Sequence, residues 1–332
     1  MNIRQPPPYH LRINKAVDRH LLIETLSILE RRLHEGFMAD SLYCGFGGPY
    51  MEDIRLLHER FHDTELISVE SIPQVVRRQK FHLPCSKVKI FDESFGLCLD
   101  RIIAAAENKN LIFWLDYTNF TAEVIADLTQ TIGKVDTDCV IKITVVADRR
   151  NYHRDNDGKM NFKKLRENFG EYVAEQDLEK DYRKNEDFIC LVKSIFLTAT
   201  QKTFPKESRR TFCPVSSAYY NDGTTMFSLT GFVCTPSTSY TSDSIRELFG
   251  NWEHANEVRN EPSVEISLPF LTSKERLLLQ SCLPCSEENP GEILFARLGH
   301  CICEGDDEDS KRLLNNYAKF YRYYPYFIRG YP

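Results

Sequence analysis

Three glycines follow a short apolar run near the start of the chain. The run Ser41-Leu42-Tyr43-Cys44 is predicted to form a β-strand, and the turn Cys44-Gly45-Phe46-Gly47-Gly48 ends it. Glycines at the carboxyl end of a first strand let the backbone approach a ligand closely. The helix after the turn would offer free N–H groups and a positive dipole end to an anionic group. This pattern indicates a site for a nucleotide-like ligand.

Acidic residues end each of the next three predicted strands. Glu70 ends the second strand, where an acid about 20 residues beyond the turn can accept both hydroxyls of a ribose. Asp92 ends the third strand, near the expected place of an adenine amino group, and Asp116 ends the fourth, facing the same crevice. One such acid is usually a solvated cap. Three in register with the glycine turn favour a nucleotide-type ligand.

The residues directly after the turn narrow the type of nucleotide. The dinucleotide fingerprint G-x-G-x-x-G would need a glycine at position 50, which is Tyr50. No G-K-[ST] occurs there either, so a kinase-type phosphate loop is excluded. S-adenosylmethionine fits better, because it carries a ribose, an adenine and a zwitterionic amino-acid end but no phosphate.

Segments of helical periodicity alternate with apolar segments through the first half of the chain. This alternation predicts a parallel sheet with helices on both faces, and nearly all-apolar strands are typical of such a sheet. Helices are predicted over 14–35, 50–61, 72–81, 97–108 and 121–132, and strands over 41–44, 64–70, 87–91, 111–115 and 139–146.

The pattern changes after the fifth strand. Residues 148–187 are charged and are predicted to form a helical or loop insertion, with an apolar helix after it over 188–200. Asn221-Asp222-Gly223 then separates two strand-like runs, over 213–220 and 224–233, which is a strong signal for an antiparallel hairpin. A parallel sheet closed by such a hairpin differs from most dinucleotide-binding dehydrogenases.

The domain organisation can be read from this order. We predict an N-terminal helical segment over 1–40, a Rossmann-like domain over 41–235 and a helical extension over 236–332. The extension ends in an aromatic tail that we expect to be core or a packed cover over the sheet edge. The tail aromatics are Tyr317, Phe320, Tyr321, Tyr323, Tyr324, Tyr326 and Phe327.

With these features in place, the chain resembles the class I S-adenosylmethionine-dependent methyltransferases, and more narrowly a bacterial group labelled O-methyltransferases. The element order, the glycine turn and the acids at strand ends carry the first likeness. The narrower one lies in three segments: Tyr9-His10-Leu11-Arg12-Ile13-Asn14-Lys15-Ala16-Val17-Asp18-Arg19, Trp114-Leu115-Asp116-Tyr117 and Phe320-Tyr321-Arg322-Tyr323-Tyr324-Pro325. The resemblance implies the methyltransferase form of the Rossmann-like fold and transfer of a methyl group to an unidentified acceptor.

The resemblance also assigns roles to residues. Gly45 and Gly47 would line the methionine part of the cofactor, Glu70 would bind the ribose and Asp92 the adenine. Asp116 would lie near the transferred methyl or the ammonium group, and it is our catalytic candidate. The complete set expected at the cofactor is Arg12, Lys15, Cys44, Gly45, Phe46, Gly47, Gly48, Glu70, Asp92, Asp116 and Tyr117.

Two positions depart from the family pattern. Methyltransferases commonly carry an acid two residues before the first glycine, where this chain has Tyr43, and the third glycine of the motif would fall at Pro49. These departures leave an alternative open: a catalytically degenerate Rossmann-like protein that acts as a binding or effector protein with a partner gene product.

Other methyl-transfer chemistries fit the chain less well. The cysteine nucleophile of DNA cytosine-C5 enzymes comes after the fourth strand, but Pro84-Cys85 precedes the third. Enzymes that methylate amino groups of bases use a proline-containing loop after that strand, and Asp116-Tyr117-Thr118-Asn119 has no proline. For an oxygen acceptor, the proton could pass to Asp116, to His153 or to a tyrosine.

The composition sets the outer limits. A chain of 332 residues with 42% hydrophobic residues and a net charge of -6 suits a soluble protein and gives no strong signal for nucleic acid. No apolar stretch predicts a membrane span or secretory signal, so we expect a cytoplasmic protein whose 11 cysteines are reduced. Cys282-x-x-Cys285 and His300-Cys301-x-Cys303 could together hold zinc, but we predict no metal site.

Overall fold

The computed structural model describes residues 12–33, 36–152, 160–178, 180, 182–205, 208–238 and 240–325. The strands are β1 Ser41–Gly45, β2 Glu65–Val69, β3 Val88–Phe91, β4 Asn110–Asp116, β5 Cys139–Val146, β6 Thr211–Asn221, β7 Thr225–Cys234 and β8 Val264–Ile266. The helices are α1 Ile13–Arg32, α2 Glu52–Arg60, α3 Pro73–Phe81, α4 Phe95–Ala105, α5 Ala122–Lys134, α6 Phe162–Phe169, α7 Glu175–Leu178, α8 Asn185–Thr203, α9 Ser242–Phe249, α10 Ser273–Gln280, α11 Pro290–Leu298 and α12 Asp307–Phe320.

The chain forms two compact units. The larger comprises Leu21–Tyr219 and Thr224–Val264, and the smaller comprises Met1–His20, Tyr220–Gly223 and Glu265–Pro332. The domain boundaries expected after residues 40 and 235 stay predictions. None of the described helices has the length and apolar character needed to cross a bilayer.

One mixed sheet of eight strands runs in the order β3-β2-β1-β4-β5-β7-β6-β8. Strands β1 to β5 pair in parallel, whereas β5 and β7 are antiparallel. The order reverses between β1 and β4, and ligands of open α/β sheets bind outside the carboxyl ends of the strands at such a point. The predicted Rossmann-like methyltransferase sheet, with parallel strands closed by an antiparallel hairpin, is confirmed.

A large apolar core covers one face of this sheet. Leu42 and Cys44 of β1 face it, together with Phe113 of β4, and side chains of α4, α5 and α8 pack on them. Strand side chains alternate in direction, so the intervening Tyr43 belongs to the opposite face. Burial of each large apolar side chain contributes about 1.5–3 kcal/mol, which holds the strand ends in fixed register.

The helical extension predicted over 236–332 contains one strand, so that prediction is wrong at β8. Three residues are too few to show an alternating pattern, and pairing with the sheet sets their conformation instead. The charged insertion contains α6 and α7, as predicted, while His153 lies outside the described residues.

The aromatic tail packs within the smaller unit. Tyr317, Phe320 and Tyr324 are buried, whereas Tyr326 and Phe327 lie outside the described residues. The Tyr324 hydroxyl donates to the carbonyl of Pro269 at 3.0 Å and accepts from the N–H of Leu271 at 3.0 Å. The described part of the tail is therefore packed, as predicted.

Candidate functional site

The glycine turn lies at the carboxyl end of β1, where the strand order reverses. Gly47 and Gly48 have φ angles of 65° and 55°, a region that disfavours residues with a side chain. A Cβ atom on Gly47 would lie 2.7 Å from the Ser68 hydroxyl oxygen. Glycine is needed at position 47 for both reasons, whereas the space beside the backbone of Gly48 is open.

A buried amide fixes the turn from behind. The Gln79 side-chain nitrogen donates to the carbonyl of Phe46 at 2.9 Å and to that of Gly48 at 3.0 Å. The Ser68 hydroxyl donates to the Gln79 side-chain oxygen at 3.0 Å. Gln79 is fully buried, and its hydrogen bonds hold the backbone of the glycine turn in one geometry. The sequence analysis did not identify this residue.

Tyr43, where the family commonly has an acid, is fully buried under the turn. Its hydroxyl donates to Oδ2 of Asp53, in the first turn of α2, at 2.6 Å. A Cβ atom on Gly45 would lie 2.9 Å from the Tyr43 ring and 3.0 Å from that same oxygen. Burial and then the Asp53 charge raise the pKa of Tyr43 well above its usual range, so the phenol stays protonated. The tyrosine thus brings a carboxylate to the glycine surface.

Asp53 was missed by the sequence analysis. The signal that could have found it is an acid in the first turn of the helix after the glycine turn, where carboxylates are favoured.

Glu70 and Asp92 come together as their strand-end positions predict. Val69 is in register with Phe91, and the N–H of Glu70 donates to the Phe91 carbonyl at 3.0 Å. The Glu70 carboxylate accepts from the N–H of Ile72 at 2.8 Å. Burial raises the pKa of Glu70, the N–H donors lower it, and the charge of the exposed Asp92 raises it further.

Asp116 ends β4 opposite Thr144 of β5 and is half-buried. Because Gly45 is in register with Trp114, Asp116 lies two residues farther along the neighbouring strand, at the same edge of the sheet. The structure thus gathers Gly45, Gly47, Glu70 and Asp116 at one edge of the sheet. Their roles toward a ligand remain predictions.

Tyr117 packs beside the turn, with its ring centroid 5.0 Å from that of Phe46. Its hydroxyl donates to the Asp127 carboxylate of α5. Burial and then the Asp127 charge raise the pKa of Tyr117 far above its usual range, so this phenol is unsuited to accept a proton. The ring shares an apolar surface with Phe46, and its expected contact with a cofactor stays a prediction.

The remaining predicted residues lie differently. The Cys44 side chain faces the core, and burial raises the pKa of its thiol, so only its backbone could reach a ligand. Arg12 and Lys15 belong to the smaller unit, where the N–H of Lys15 donates to the Asp222 carboxylate at 3.0 Å. Their expected contact with a cofactor stays a prediction.

The cysteine pairs considered for zinc lie in the smaller unit. The Cys301 thiol donates to Asp307 at 3.1 Å, and the Cys303 thiol lies 3.4 Å from the Ser310 hydroxyl. Within the described part of the chain, no group of three or more His, Cys, Asp or Glu side chains could hold a metal ion. All 11 cysteines are free thiols.

The chain belongs to the protein family described as "Putative O-methyltransferase", whose match spans residues 7–331. This family identity favours an enzyme over the degenerate binding protein. No curated protein matches the chain in sequence.

Solved structures with a similar fold include methyltransferases and a protein of unknown role. A "putative O-methyltransferase" from Klebsiella pneumoniae is 13% identical, with 69% of this chain and 91% of that chain covered and a TM-score of 0.37. TomG from Streptomyces achromogenes, an O-methyltransferase in complex with S-adenosylmethionine, is 10% identical, with 70% and 92% covered and a TM-score of 0.35.

An uncharacterised protein from Listeria monocytogenes is 7% identical, with 90% of this chain and 97% of that chain covered and a TM-score of 0.32. Likenesses at this level are too low to specify a substrate or a binding residue.

Proposed function

We propose that this protein transfers the methyl group of S-adenosylmethionine to an oxygen of an unidentified acceptor, at the carboxyl edge of strands β1, β2 and β4. The observation that carries the proposal is the glycine turn, fixed by Gln79 and open at Gly48, at the point where the strand order reverses, with Glu70 at the neighbouring strand end. Family membership supports the reaction class.

The residues present fit this cofactor. No protein atom lies within 4 Å of the point where a Cβ atom on Gly48 would sit, so the backbone there is open to the methionine part. Glu70 is half-buried and has one carboxylate oxygen on the N–H of Ile72, so it can accept hydrogen bonds from the ribose hydroxyls. Ile72, with 54% of its surface exposed, offers an apolar face to the adenine.

The cofactor supplies an electrophilic methyl group when bound. Asp116 would accept the proton of the acceptor hydroxyl, which balances the charge when the methyl group passes from the sulfonium to that oxygen and leaves a neutral thioether. The glycine turn holds the methyl donor at a fixed distance and direction from the acceptor oxygen, which is the main source of rate in such a transfer.

The cellular setting is inferred from the same chemistry. We place the protein in the cytoplasm of a bacterium, in keeping with the bacterial group that the chain resembles. The free thiols suit a reducing compartment.

The experiment is calorimetry with S-adenosylhomocysteine, the demethylated product, on the wild type and on Glu70→Ala. We expect the wild type to bind and the variant to lose about 10- to 100-fold in affinity, because hydrogen bonds to a charged group are lost. Glu59→Ala, an exposed acid of α2, is the matched control and should bind as the wild type does. Absence of wild-type binding at millimolar ligand would overturn the proposal and favour the binding or effector protein with a partner.

A further inference from the structure

The Tyr43–Asp53 pair has an unused hydrogen-bonding capacity. Tyr43 donates its only hydroxyl proton to Oδ2 of Asp53 at 2.6 Å, which fixes that carboxylate. No group within the described part of the chain bonds to the other oxygen, Oδ1 of Asp53. Asp53 is half-buried, so a partner for Oδ1 would come from solvent or from a ligand.

The carboxylate lies beside Gly45, at the buried start of the glycine turn. Its Oδ2 is 3.0 Å from the point where a side chain on Gly45 would begin. Gly45 is in register with Trp114, two residues before Asp116 in β4. The start of the turn therefore has a carboxylate from α2 and another from β4 close by, and both add negative charge around the buried phenol.

Two carboxylates at one ligand surface favour a cation. The cofactor of the proposed function carries one at its amino-acid end, an ammonium with three N–H donors. From these positions we infer that Asp53 binds this ammonium through Oδ1 and that Tyr43 is the residue that positions it. The inference rests on the proposed function and deepens it. The family commonly has this acid on the first strand, at the position of Tyr43. In this chain the acid is Asp53, on the helix α2 that follows the turn.

The inference explains why Tyr43 and Gly45 occur together. An alanine at position 45 would put its Cβ atom 2.9 Å from the Tyr43 ring, which is buried and cannot move aside. Glycine leaves room for the phenol and for the Asp53 carboxylate that it holds.

The test compares two ligands that differ in the amino-acid end. S-adenosylhomocysteine carries the ammonium, whereas 5′-methylthioadenosine keeps the adenine, ribose and thioether but lacks it. We expect Asp53→Asn to weaken S-adenosylhomocysteine about 10- to 100-fold in calorimetry and to leave 5′-methylthioadenosine within about twofold. Asparagine keeps the side-chain volume and a hydrogen-bond acceptor for Tyr43.

Two further variants complete the design. Tyr43→Phe keeps the buried ring and removes the hydroxyl, so it should weaken S-adenosylhomocysteine about three- to tenfold and spare 5′-methylthioadenosine. Glu52→Gln removes a neighbouring charge from the same helical turn and should leave both affinities unchanged. Circular dichroism checks that each variant is folded.

The outcomes separate the role of Asp53 from the proposed function. Equal binding of S-adenosylhomocysteine by wild type and Asp53→Asn would overturn the role of Asp53 and leave the proposed function intact. Equal losses for both ligands would also overturn it, since a general distortion of the turn would then explain the result. A wild type that binds neither ligand would overturn the proposed function together with this inference.

Discussion

Two polar clusters in the larger unit contain buried or half-buried carboxylates, and they differ in how completely those carboxylates are bonded. In one, Glu257 accepts from Lys193 at 2.8 Å and from Asn256 at 3.3 Å, and also from the Ser217 hydroxyl. In the other, at the glycine turn, the side chain of Asp53 accepts one hydrogen bond from the described residues, which Tyr43 donates to Oδ2.

The difference separates a structural cluster from a binding site. The Glu257 side chain is only 6% exposed, so its desolvation has to be offset by protein partners, and these partners are present. The other oxygen of the Asp53 carboxylate accepts no hydrogen bond from the described residues, and we propose that a ligand bonds to it. A buried carboxylate in a network contributes to folding, whereas an incompletely bonded one beside a bare backbone turn can contribute to binding.

The largest effect is expected from a substitution that removes the cation of the structural cluster. Lys193→Met keeps most of the side-chain volume but leaves the buried Glu257 charge without its cation. We expect the free energy of unfolding to fall by about 3–5 kcal/mol, with no change in affinity for S-adenosylhomocysteine in the folded protein. Urea unfolding monitored by circular dichroism, with calorimetry beside it, measures both quantities.

An exposed ion pair provides the control for that variant. Lys87 lies 3.7 Å from Asp63, and their side chains are 53% and 79% exposed. Lys87→Met should cost less than about 1 kcal/mol. A Lys193→Met variant as stable as this control would remove the distinction between the two clusters.

A smaller effect concerns the support of the glycine turn. Gln79→Leu removes the donor to the carbonyls of Phe46 and Gly48, and leucine cannot replace it. We expect a loss of about 1–3 kcal/mol in stability and at least about a tenfold loss in affinity for S-adenosylhomocysteine. Gln130→Leu, on the exposed side of α5, is the matched control and should change neither. If a folded Gln79→Leu variant kept the wild-type affinity, the hydrogen bonds of Gln79 would not be needed for the binding geometry of the turn.

The smallest effect is a pH dependence at Glu70. Burial and then the charge of Asp92 raise the pKa of Glu70. An ordinary glutamate has a pKa of about 4.3, so the carboxylate form that we propose to bind ribose is lost at a higher pH than that. We expect affinity for 5′-methylthioadenosine to fall by at most about tenfold per pH unit as the pH drops through that raised pKa. Over the same pH range, the free energy of unfolding should rise.

The sign of the stability change is set by the same shift. A carboxyl whose pKa is raised in the folded state adds stability below its unfolded pKa and loses that stability as pH rises through its folded pKa. Glu70→Gln should abolish the dependence of affinity on pH, and Asp92→Asn should move its midpoint lower. If the pH dependence of affinity persisted in Glu70→Gln, the titrating group would be a residue other than Glu70.

The sequence was informative where a pattern is local. Apolar runs, the glycine turn and the Asp-Gly hairpin predicted the sheet, its direction change and the edge at which Glu70 and Asp116 lie. It was uninformative where contacts join distant elements. Gln79 lies 31 residues beyond the Gly48 carbonyl that it binds, and no spacing rule connects a polar residue of α3 to the turn.

Tyr43 shows the same limit more sharply. From the sequence it is a departure that weakens the glycine motif, because an acid is expected there. Its role depends on the direction in which a strand residue points and on the packing of α2 above it, which brings Asp53 within 2.6 Å of the phenol. The three-residue strand β8 was missed because it is too short for its pattern to be read.

A crystal structure with S-adenosylhomocysteine tests the central claim most directly. The account predicts the ligand over the glycine turn, with the ribose hydroxyls within hydrogen-bond distance of Glu70 and the ammonium beside Asp53 and Asp116. A ligand bound elsewhere on the chain, or a turn that stays empty at saturating concentration, would contradict it.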